Sequence, residues 1–385
     1  MAYTEERKYL MVYPENEQEL RLSRIREEMS KDNLDSIIVY AGVWKIEAIH
    51  YVANLRVQGR DACVVIPYTG EPTLFLSCEW DLARARKESW INRVEIVPEA
   101  MLAAAGEEAA KYGKVIGVVG TEHMPHLYYD DLQRSIGDRV LSNSTMLLNK
   151  VALIKTPWEI EIVRKCSALA DAGFIAEIET LHEGASEYEI IAEIEYAMRK
   201  GGADDNFQMI GVGVDLSSMN MAGEKKLKLN DMVLSEISPY IGCGSYTTQL
   251  CKTVKFGKAT DFEKEKYKLL CDALEYALNN LKPGSKAKDL CLWQNEIIGG
   301  AGYDKYCWPP YMRSRGHNFG LGTIELSADN ELVLEPNMVM VVHPNQYIPD
   351  IGYYACGDTI IITETGYERL SKVPATHLVE VPPRV

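Results

Sequence analysis

The first 150 residues alternate charged stretches of helical periodicity with short apolar runs. Between residues 18 and 33, apolar residues recur at helical spacing among charges, and the run LDSIIVYAG follows directly and ends at Gly42. This pattern predicts a helix and then a strand. Further apolar runs, bounded by Pro and Gly turns or charged stretches, predict strands at 61–67, 73–78, 94–98 and 114–120. Strands that alternate with helices indicate an α/β domain over residues 1–150.

From Thr156 onward the pattern changes to long amphipathic helices. The segment TPWEIEIVRKCSALADAGFIAEIETL opens with a Thr cap, a Pro in the first turn and a Glu three residues after the cap. A second helical segment and a strand-rich block at 206–256 follow it. Two more helical segments and two more apolar runs, MVMVVHP and TIIITE, then repeat the order. The repeat predicts a duplicated α+β domain over residues 151–385, with a cleft at its pseudo-symmetric centre.

Composition and charge narrow the classes of partner. The chain has 385 residues, is 46% hydrophobic, and carries a formal net charge of −15 with a pI near 5.1. Nucleic acid and anionic membranes require clustered Lys and Arg, so we expect neither as a partner. No run approaches the roughly 18 apolar residues of a membrane span. Nine cysteines without a CxxC pair predict reduced thiols and a cytoplasmic location. A small molecule or peptide is the expected ligand.

Five segments of the second domain carry a family resemblance. They are, in order, IKTPWEIEIVRKCSALADAG (154–173), LKPGSKAKDL (281–290), RGHNFGLG (315–322), LEPNMVMVVHPNQY (334–347) and GDTIIITETGYERLS (357–371). Together they resemble the creatinase, prolidase and methionine aminopeptidase family. The resemblance implies a creatinase-type α/β N-terminal domain followed by an α+β pita-bread catalytic domain.

The resemblance also implies which residues stand at the family's two-metal site. Its metallopeptidases hold two divalent ions with two aspartates, one histidine and two glutamates. The matching positions here are Glu236, Gln249, His317, His343 and Gly357. Four carboxylates are thereby reduced to one, so two dications would repel each other without compensation. We therefore expect no metal cofactor. The alternative is one divalent metal at His317, His343 and Glu236.

The implied reaction follows from the metal-independent, creatinase-like members of the family. We expect a hydrolase that cleaves a C–N bond, amide or amidine, of a small carboxylated molecule, with a non-peptide substrate favoured over a peptide. His317 and His343 would be catalytic by transferring protons, Glu236 would also be catalytic, and Gln249 would bind the scissile group. The catalytic histidine of creatinase would fall near Met219 or Asn220, so creatine itself is not the expected substrate.

Further substrate-binding candidates are Arg60, Arg313, Arg315 and Tyr246. Arg60, in VQGRDACVVIP, matches a creatinase arginine that reaches the neighbouring subunit's cleft, which implies a homodimer with Arg60 contributed across the interface. Arg313 and Arg315 flank Ser314 ahead of the histidine and would suit a carboxylate, although surface charge explains them equally well. Tyr246 would line the pocket.

Two other functional interpretations stay open. One is a single-metal hydrolase or lyase that uses His317, His343 and Glu236. The other is an aminopeptidase P-like or Xaa-Pro peptidase-like pseudo-enzyme that only binds its ligand. Each candidate residue also has a structural explanation: His343 could be packed at a strand end, and Glu236 could be a buried acid that hydrogen-bonds Gln249.

Overall fold

The computed structural model describes residues 14–42, 45–242, 244–349 and 352–383. Contacts between residues divide the chain into two compact units. Unit 1 is the chain up to Leu153 together with Gly242–Ser245 and Gly320–Gly322, and unit 2 is the remainder. Cys243, one of the nine cysteines interpreted above, lies outside the described residues. The other eight are free thiols, and all but Cys78 are buried.

Unit 1 is a mixed sheet with helices on it. Its strands are β1 Ser36–Gly42, β2 Asp61–Pro67, β3 Thr73–Leu76, β4 Arg93–Ile96, β5 Val115–Val119 and β6 Val140–Asn143. Its α-helices are α1 Glu17–Lys31, α2 Glu47–Ala53, α3 Leu82–Glu88, α4 Met101–Ala109, α5 His126–Ser135 and α6 Thr145–Leu153. The strand order is β4-β3-β2-β1-β5-β6, with β2 antiparallel to both neighbours and the other pairs parallel. Alternate residues of β1 enter two different apolar cores, one on each face. The predicted α/β arrangement is confirmed.

The helices of unit 2 follow the predicted order of two successive pairs. They are α7 Pro157–Thr180, α8 Glu187–Gly201, α9 Asp261–Asn280 and α10 Ala287–Ile298. Thr156 and Thr260 each accept a hydrogen bond from the backbone N–H of a glutamate three residues later, and that glutamate accepts one from the threonine N–H. Such reciprocal caps satisfy orphan donors of the first turn and fix where each helix starts.

The strands of unit 2 form two main sheets. In chain order they are β7 Asp205–Gly213, β8 Met232–Ile241, β9 Tyr246–Thr247, β10 Leu250–Phe256, β11 Ser314–His317, β12 Glu325–Ser327, β13 Val339–Val342, β14 Gln346–Ile348, β15 Gly352–Tyr354, β16 Asp358–Thr363, β17 Gly366–Arg369 and β18 Val379–Val381. One sheet has the order β18-β10-β8-β7, with β9 paired to β8, and the other has the order β12-β11-β13-β16-β17. Apart from β18, the strands of each sheet follow their own pair of helices, which is the arrangement that the predicted duplication requires.

A pair of backbone hydrogen bonds connects the two sheets. The Cys251 N–H donates to the Gly357 carbonyl at 3.0 Å, and the Gly357 N–H donates back to the Cys251 carbonyl at 3.1 Å. Cys251 belongs to β10, and Gly357 immediately precedes β16. The candidate residues of both sheets therefore converge at this point. None of the described helices has the length and apolar character needed to cross a membrane.

One acidic side chain is enclosed between α7 and β8. Glu177 is fully buried, and the Ser235 hydroxyl donates to its Oε2 at 2.7 Å. Its Oε1 has no hydrogen-bond partner among the described residues. Burial raises the pKa of Glu177 to about 8, although the Ser235 hydrogen bond and the Lys252 charge oppose this. Glu177 is therefore mainly protonated in the folded protein at neutral pH.

Glu177→Gln should make the stability of the protein less dependent on pH. The folded-state pKa lies above the unfolded value near 4.5, so between these values the native chain holds the extra proton and stability falls as pH rises. Glutamine keeps the shape without titrating. Relative to wild type, the variant should lose less unfolding free energy between pH 5 and 8.5, by on the order of a few kcal/mol. Urea unfolding at both pH values measures this.

The matched control is Glu179→Gln, because Glu179 is exposed on the same helix. Its pH profile should follow that of wild type. If Glu177→Gln also follows the wild-type profile, Glu177 is not held protonated by burial.

Candidate active site

Two histidines meet where β11 and β13 run side by side. His317 is the last residue of β11, and His343 directly follows β13. Their ring centroids are 5.3 Å apart, and the His343 N–H donates to the Arg315 carbonyl at 3.0 Å. Gly316 permits this approach: its φ is +146°, and a Cβ there would lie 2.1 Å from the Val341 carbonyl oxygen. The strand pairing thus sets the two imidazoles face to edge.

The hydrogen bonds and burial of the two rings define their protonation. The Nδ1 of His317 lies 3.2 Å from the Asn318 carbonyl, which can only accept, so Nδ1 carries the proton and Nε2 keeps its lone pair. Burial lowers the pKa of His317, opposed by that carbonyl and by Glu325. Burial, followed by the neighbouring His317, lowers the pKa of His343 to about 3. Both rings are therefore neutral near pH 7.

The neighbouring strands β8 and β10 bring a second group of polar side chains together. The Gln249 amide donates to the Ser238 hydroxyl at 3.2 Å. One pair further along, the Cys251 thiol lies 3.8 Å from a Glu236 oxygen, which also accepts from the Asn345 amide at 2.8 Å. Burial raises the pKa of Glu236, opposed by the hydrogen bonds from Asn345 and Cys251. This carboxyl group is therefore held by neutral donors.

The sequence analysis gave a hydrogen bond between Glu236 and Gln249 as the structural explanation of Glu236, and the hairpin does not place these two residues across from each other. Leu250 pairs with Ile237, so Ser238 is the residue across from Gln249 and Glu236 is across from Cys251. Sequence reasoning therefore missed Ser238. It also missed Asn345, whose amide oxygen accepts from the Cys356 N–H while its nitrogen holds Glu236. The motif HPNQ contained a signal for Asn345, because this polar residue lies two positions after His343, in the turn that follows β13.

Arg315 requires a correction, because it is not placed to bind a substrate carboxylate. Its side chain is completely buried, with 0% of its surface exposed. The guanidinium donates to Asn295 Oδ1 at 2.7 Å and to the Asn345 carbonyl at 2.8 Å. It also donates to Gln346 Oε1 at 2.7 Å. With its nitrogens used in this way, Arg315 holds the chain around His343 instead of meeting a ligand.

Tyr246 also requires a correction. It is 2% exposed, its hydroxyl donates to Glu159 at 3.2 Å, and its ring packs edge-on against Trp158. It therefore belongs to the packing of α7 against the sheet and does not line a pocket. Arg313 differs from both, because its side chain is 80% exposed and forms an ion pair with Glu325 at 3.1 Å. That pair is exposed enough to exchange partners readily.

Arg60 lies in unit 1 on a loop held by one carboxylate. Asp81 accepts hydrogen bonds from the backbone N–H groups of Gln58 and Gly59, the two residues before Arg60. A side chain at Gly59 would come within 2.6 Å of the Cys78 Cβ, so the loop packs closely there. Arg60 itself is exposed. Its predicted role involves a second subunit and stays a prediction.

The residues at the family's metal-ligand positions do not fit a centre of two divalent ions. Gly357 has no side chain, and a Cβ added there would lie 2.4 Å from the His343 Cβ and 2.7 Å from its Cα. Gln249 offers a neutral amide that already bonds Ser238. Within the described ranges, no group of three or more His, Cys, Asp or Glu residues could hold a metal ion. One carboxyl group cannot compensate two dications.

Comparisons with known proteins agree along almost the whole chain. Residues 21–154 match the Creatinase/Prolidase N-terminal domain, and residues 161–364 match Metallopeptidase family M24. The Xaa-Pro dipeptidase of Pyrococcus horikoshii is 26% identical over 91% of this chain and 97% of its own length. The uncharacterized peptidase YqhT of Bacillus subtilis is 31% identical over 64% of this chain and 70% of its own length.

Solved structures show the same similarity. The prolidase from Pyrococcus horikoshii superposes with a TM-score of 0.79 at 26% identity, over 92% of this chain and 98% of that one. The Xaa-Pro dipeptidase from Bacillus anthracis superposes with a TM-score of 0.82 at 25% identity, over 94% of this chain and 99% of that one. The predicted fold, a creatinase-type N-terminal domain followed by a pita-bread domain, is confirmed.

Gly357→Ala should destabilise the protein, because a methyl group there overlaps the His343 backbone as well as its side chain. We expect a loss of about 1–3 kcal/mol in unfolding free energy, which is typical of overpacking. The control is Gly300→Ala, where an added Cβ meets nothing within 4 Å. Chemical unfolding of both variants and wild type provides the comparison. Equal stability of Gly357→Ala and wild type would show that the approach of His343 to Gly357 is not tight.

Proposed function

Because the chain belongs to metallopeptidase family M24, we propose that it hydrolyses the C–N bond of short peptides, with Xaa-Pro dipeptides as the substrate class. Peptidases cleave C–N bonds, so the reaction type follows from the family. The substrate class is supported by the Xaa-Pro dipeptidases of Pyrococcus horikoshii and Pyrococcus furiosus, which match 97% of their own lengths. An Xaa-Pro dipeptide is also a small carboxylated molecule.

This proposal replaces the substrate that the sequence analysis predicted. We expected a creatinase-like hydrolase acting on a molecule that is not a peptide, and that prediction is wrong. The relatives that match along nearly their whole length are Xaa-Pro dipeptidases, and the family is one of peptidases. Resemblance to creatinase gave the fold correctly, but the fold does not determine the substrate.

The predicted lack of a metal cofactor is also wrong as an expectation for this family, because its members are metallopeptidases. The single-ion alternative at His317, His343 and Glu236 is closer to this family but does not match it either, and the described residues form no such ligand group. The ligand positions of this chain do not fit the family's metal centre, as Gly357 and Gln249 demonstrate. The catalytic roles are therefore assigned to the protein's own side chains.

One observation carries the proposal of chemistry at this site. The Nδ1 of His343 is buried and has no hydrogen-bond partner among the described residues, although it lies beside a second imidazole. Leaving a buried polar atom unpaired costs about 1–3 kcal/mol. A catalytic role or a missing ligand is one of the explanations for such an atom in a native protein.

The two histidines have complementary capacities for peptide hydrolysis. His317 keeps the lone pair on Nε2, because Nδ1 donates to the Asn318 carbonyl, so it can take a proton from an attacking water. His343 can accept or donate a hydrogen bond to the substrate amide through its unpaired Nδ1. Glu236, whose pKa is raised by burial, can donate to the developing oxyanion in its protonated form.

The assembly is proposed on the sequence resemblance, and the location is proposed on the cysteine pattern. A homodimer in which Arg60 reaches the other subunit's cleft would bring a guanidinium to the substrate carboxylate. Asp81 supports this role by fixing the backbone just before Arg60. A cytoplasmic location is supported by the reduced-thiol pattern of the sequence.

The proposal predicts turnover of Xaa-Pro dipeptides that depends on His317. His317→Ala should lower kcat for Ala-Pro at least about 10²-fold, the usual cost of losing a general base, with His343→Ala next in severity. Release of free proline measures turnover, in parallel assays with added Mn²⁺ and with a chelator, so that a metal requirement is measured separately.

The matched control is His182→Ala. His182 is half exposed and bonds Glu189, also in unit 2, so its loss should leave turnover unchanged. Wild-type protein that cleaves no Xaa-Pro dipeptide under either condition would refute the proposed function. Unchanged turnover in His317→Ala would refute the role of that histidine.

A further inference from the structure

A loop that is closed by one side chain follows His317 along the chain. The backbone N–H of Asn318 donates to the Ile324 carbonyl at 3.1 Å, and the Ile324 N–H donates to the Asn318 Oδ1 at 2.5 Å. Asn318 is only 3% exposed, so these hydrogen bonds lie away from water, where they are stronger than at the surface. We call residues 318–324 the closed loop.

The tip of the closed loop belongs to unit 1. Leu321 packs there against the apolar core that includes Ile25 of α1 and Leu148 of α6. Gly320 and Gly322 flank it with φ angles of +92° and +69°, which allow the tight turn at the tip. The closed loop is therefore fixed at its tip by apolar packing and at its base by Asn318.

The base of the closed loop lies directly against the His317 ring. The Asn318 carbonyl oxygen is 3.2 Å from the Nδ1 of His317. The Phe319 ring packs edge-on against the same imidazole, with 4.7 Å between the ring centroids. Asn318 therefore has two functions within one residue: its side chain closes the loop, and its backbone carbonyl meets the histidine. Closure of the loop fixes the direction in which this carbonyl points.

The direction of the Asn318 carbonyl decides which nitrogen of His317 carries the proton. A neutral imidazole has two tautomers, and a carbonyl can only accept, so this contact favours the tautomer with the proton on Nδ1. In that tautomer Nε2 keeps its lone pair, which a base needs in order to take a proton from water. In the other tautomer Nε2 already carries a proton and cannot act as a base.

We infer that Asn318 is a positioning residue for His317. By closing the loop, its side chain holds its own carbonyl on Nδ1 and so keeps the His317 Nε2 unprotonated. The Asn318 side chain acts through the histidine and has no contact with the reacting atoms in this role. The effect on turnover rests on the proposed function, whereas the effect on the His317 tautomer does not.

Two variants remove the side-chain acceptor and leave the backbone carbonyl in place. Asn318→Ala shortens the side chain, and Asn318→Leu keeps its approximate size, so a shared effect is not due to a cavity. Both should convert His317 from the Nδ1-protonated tautomer to a mixture, which the NMR resonances of the ring nitrogens distinguish at neutral pH. The spectrum of the His317→Ala protein assigns the signals. For Ala-Pro, kcat should fall about 3- to 10-fold with KM unchanged, as expected when one hydrogen bond is lost.

Asp231→Ala is the matched control, because Asp231 closes another loop in the same way. Its N–H donates to the Lys228 carbonyl at 3.0 Å, and its Oδ2 accepts the Lys228 N–H at 2.8 Å. Asp231 is also buried, but it precedes β8 in the other sheet. The control should lose unfolding free energy without a change in the His317 tautomer or in kcat.

A conservative variant tests whether the acceptor is what matters. Asn318→Asp supplies an oxygen for the Ile324 N–H and should keep the wild-type tautomer. Chemical unfolding of every variant shows that the folded protein is being compared.

The outcomes separate this inference from the proposed function. If wild type holds the proton on Nε2, or if Asn318→Ala and Asn318→Leu keep the wild-type tautomer, the inference is wrong, whether or not Ala-Pro is cleaved. Cleavage of Ala-Pro with wild-type kcat in both variants also refutes it. If wild type cleaves no Xaa-Pro dipeptide but both variants shift the tautomer, the proposed function is refuted and the positioning role of Asn318 stands.

Discussion

The reciprocal backbone hydrogen bonds between Cys251 and Gly357 are the contact on which the site depends. They join two sheets that otherwise belong to different halves of the duplicated unit. Cys251 of β10 pairs with Glu236 of β8, and Gly357 lies against His343. The two hydrogen bonds thus bring the carboxyl group and an imidazole from separate sheets to one place. Each residue contributes through its backbone, so the contact places few demands on side-chain identity except that position 357 must be small.

The buried Arg315 guanidinium is the second constraint on the geometry of the candidate site. A charge without water needs a full set of acceptors, and Asn295, Asn345 and Gln346 supply them. These acceptors come from α10 and from the turn after β13, so satisfying one cation fixes both segments. Asn345 then holds Glu236, and Gln346 donates to the backbone carbonyl of Tyr306. The candidate site residues on these segments are therefore positioned by the same buried charge.

Local signals in the sequence predicted the architecture well, because helix caps and apolar periods act over a few residues. Thr156 forms the cap that its motif indicated. Local signals could not predict the register of the β8–β10 hairpin. Glu236 and Ser238 both lie on the face of β8 that meets Gln249 and Cys251. Only the length of the loop between the strands decides which residue pairs with Gln249. Arg315 was misread for a similar reason: RSRGH contains two arginines, and their opposite burial depends on acceptors distant in the chain.

The packing of Gly357 against His343 also limits how this protein can change over generations. A side chain at position 357 collides with the Cα of His343 and the Val342 carbonyl, so the backbone of the facing strand must shift before any larger residue is tolerated. Replacing His343 alone leaves that backbone in place. An acidic residue at position 357 is therefore reachable only through a strained intermediate or through simultaneous changes in both strands. Substitution at position 357 is thus coupled to the backbone that carries His343.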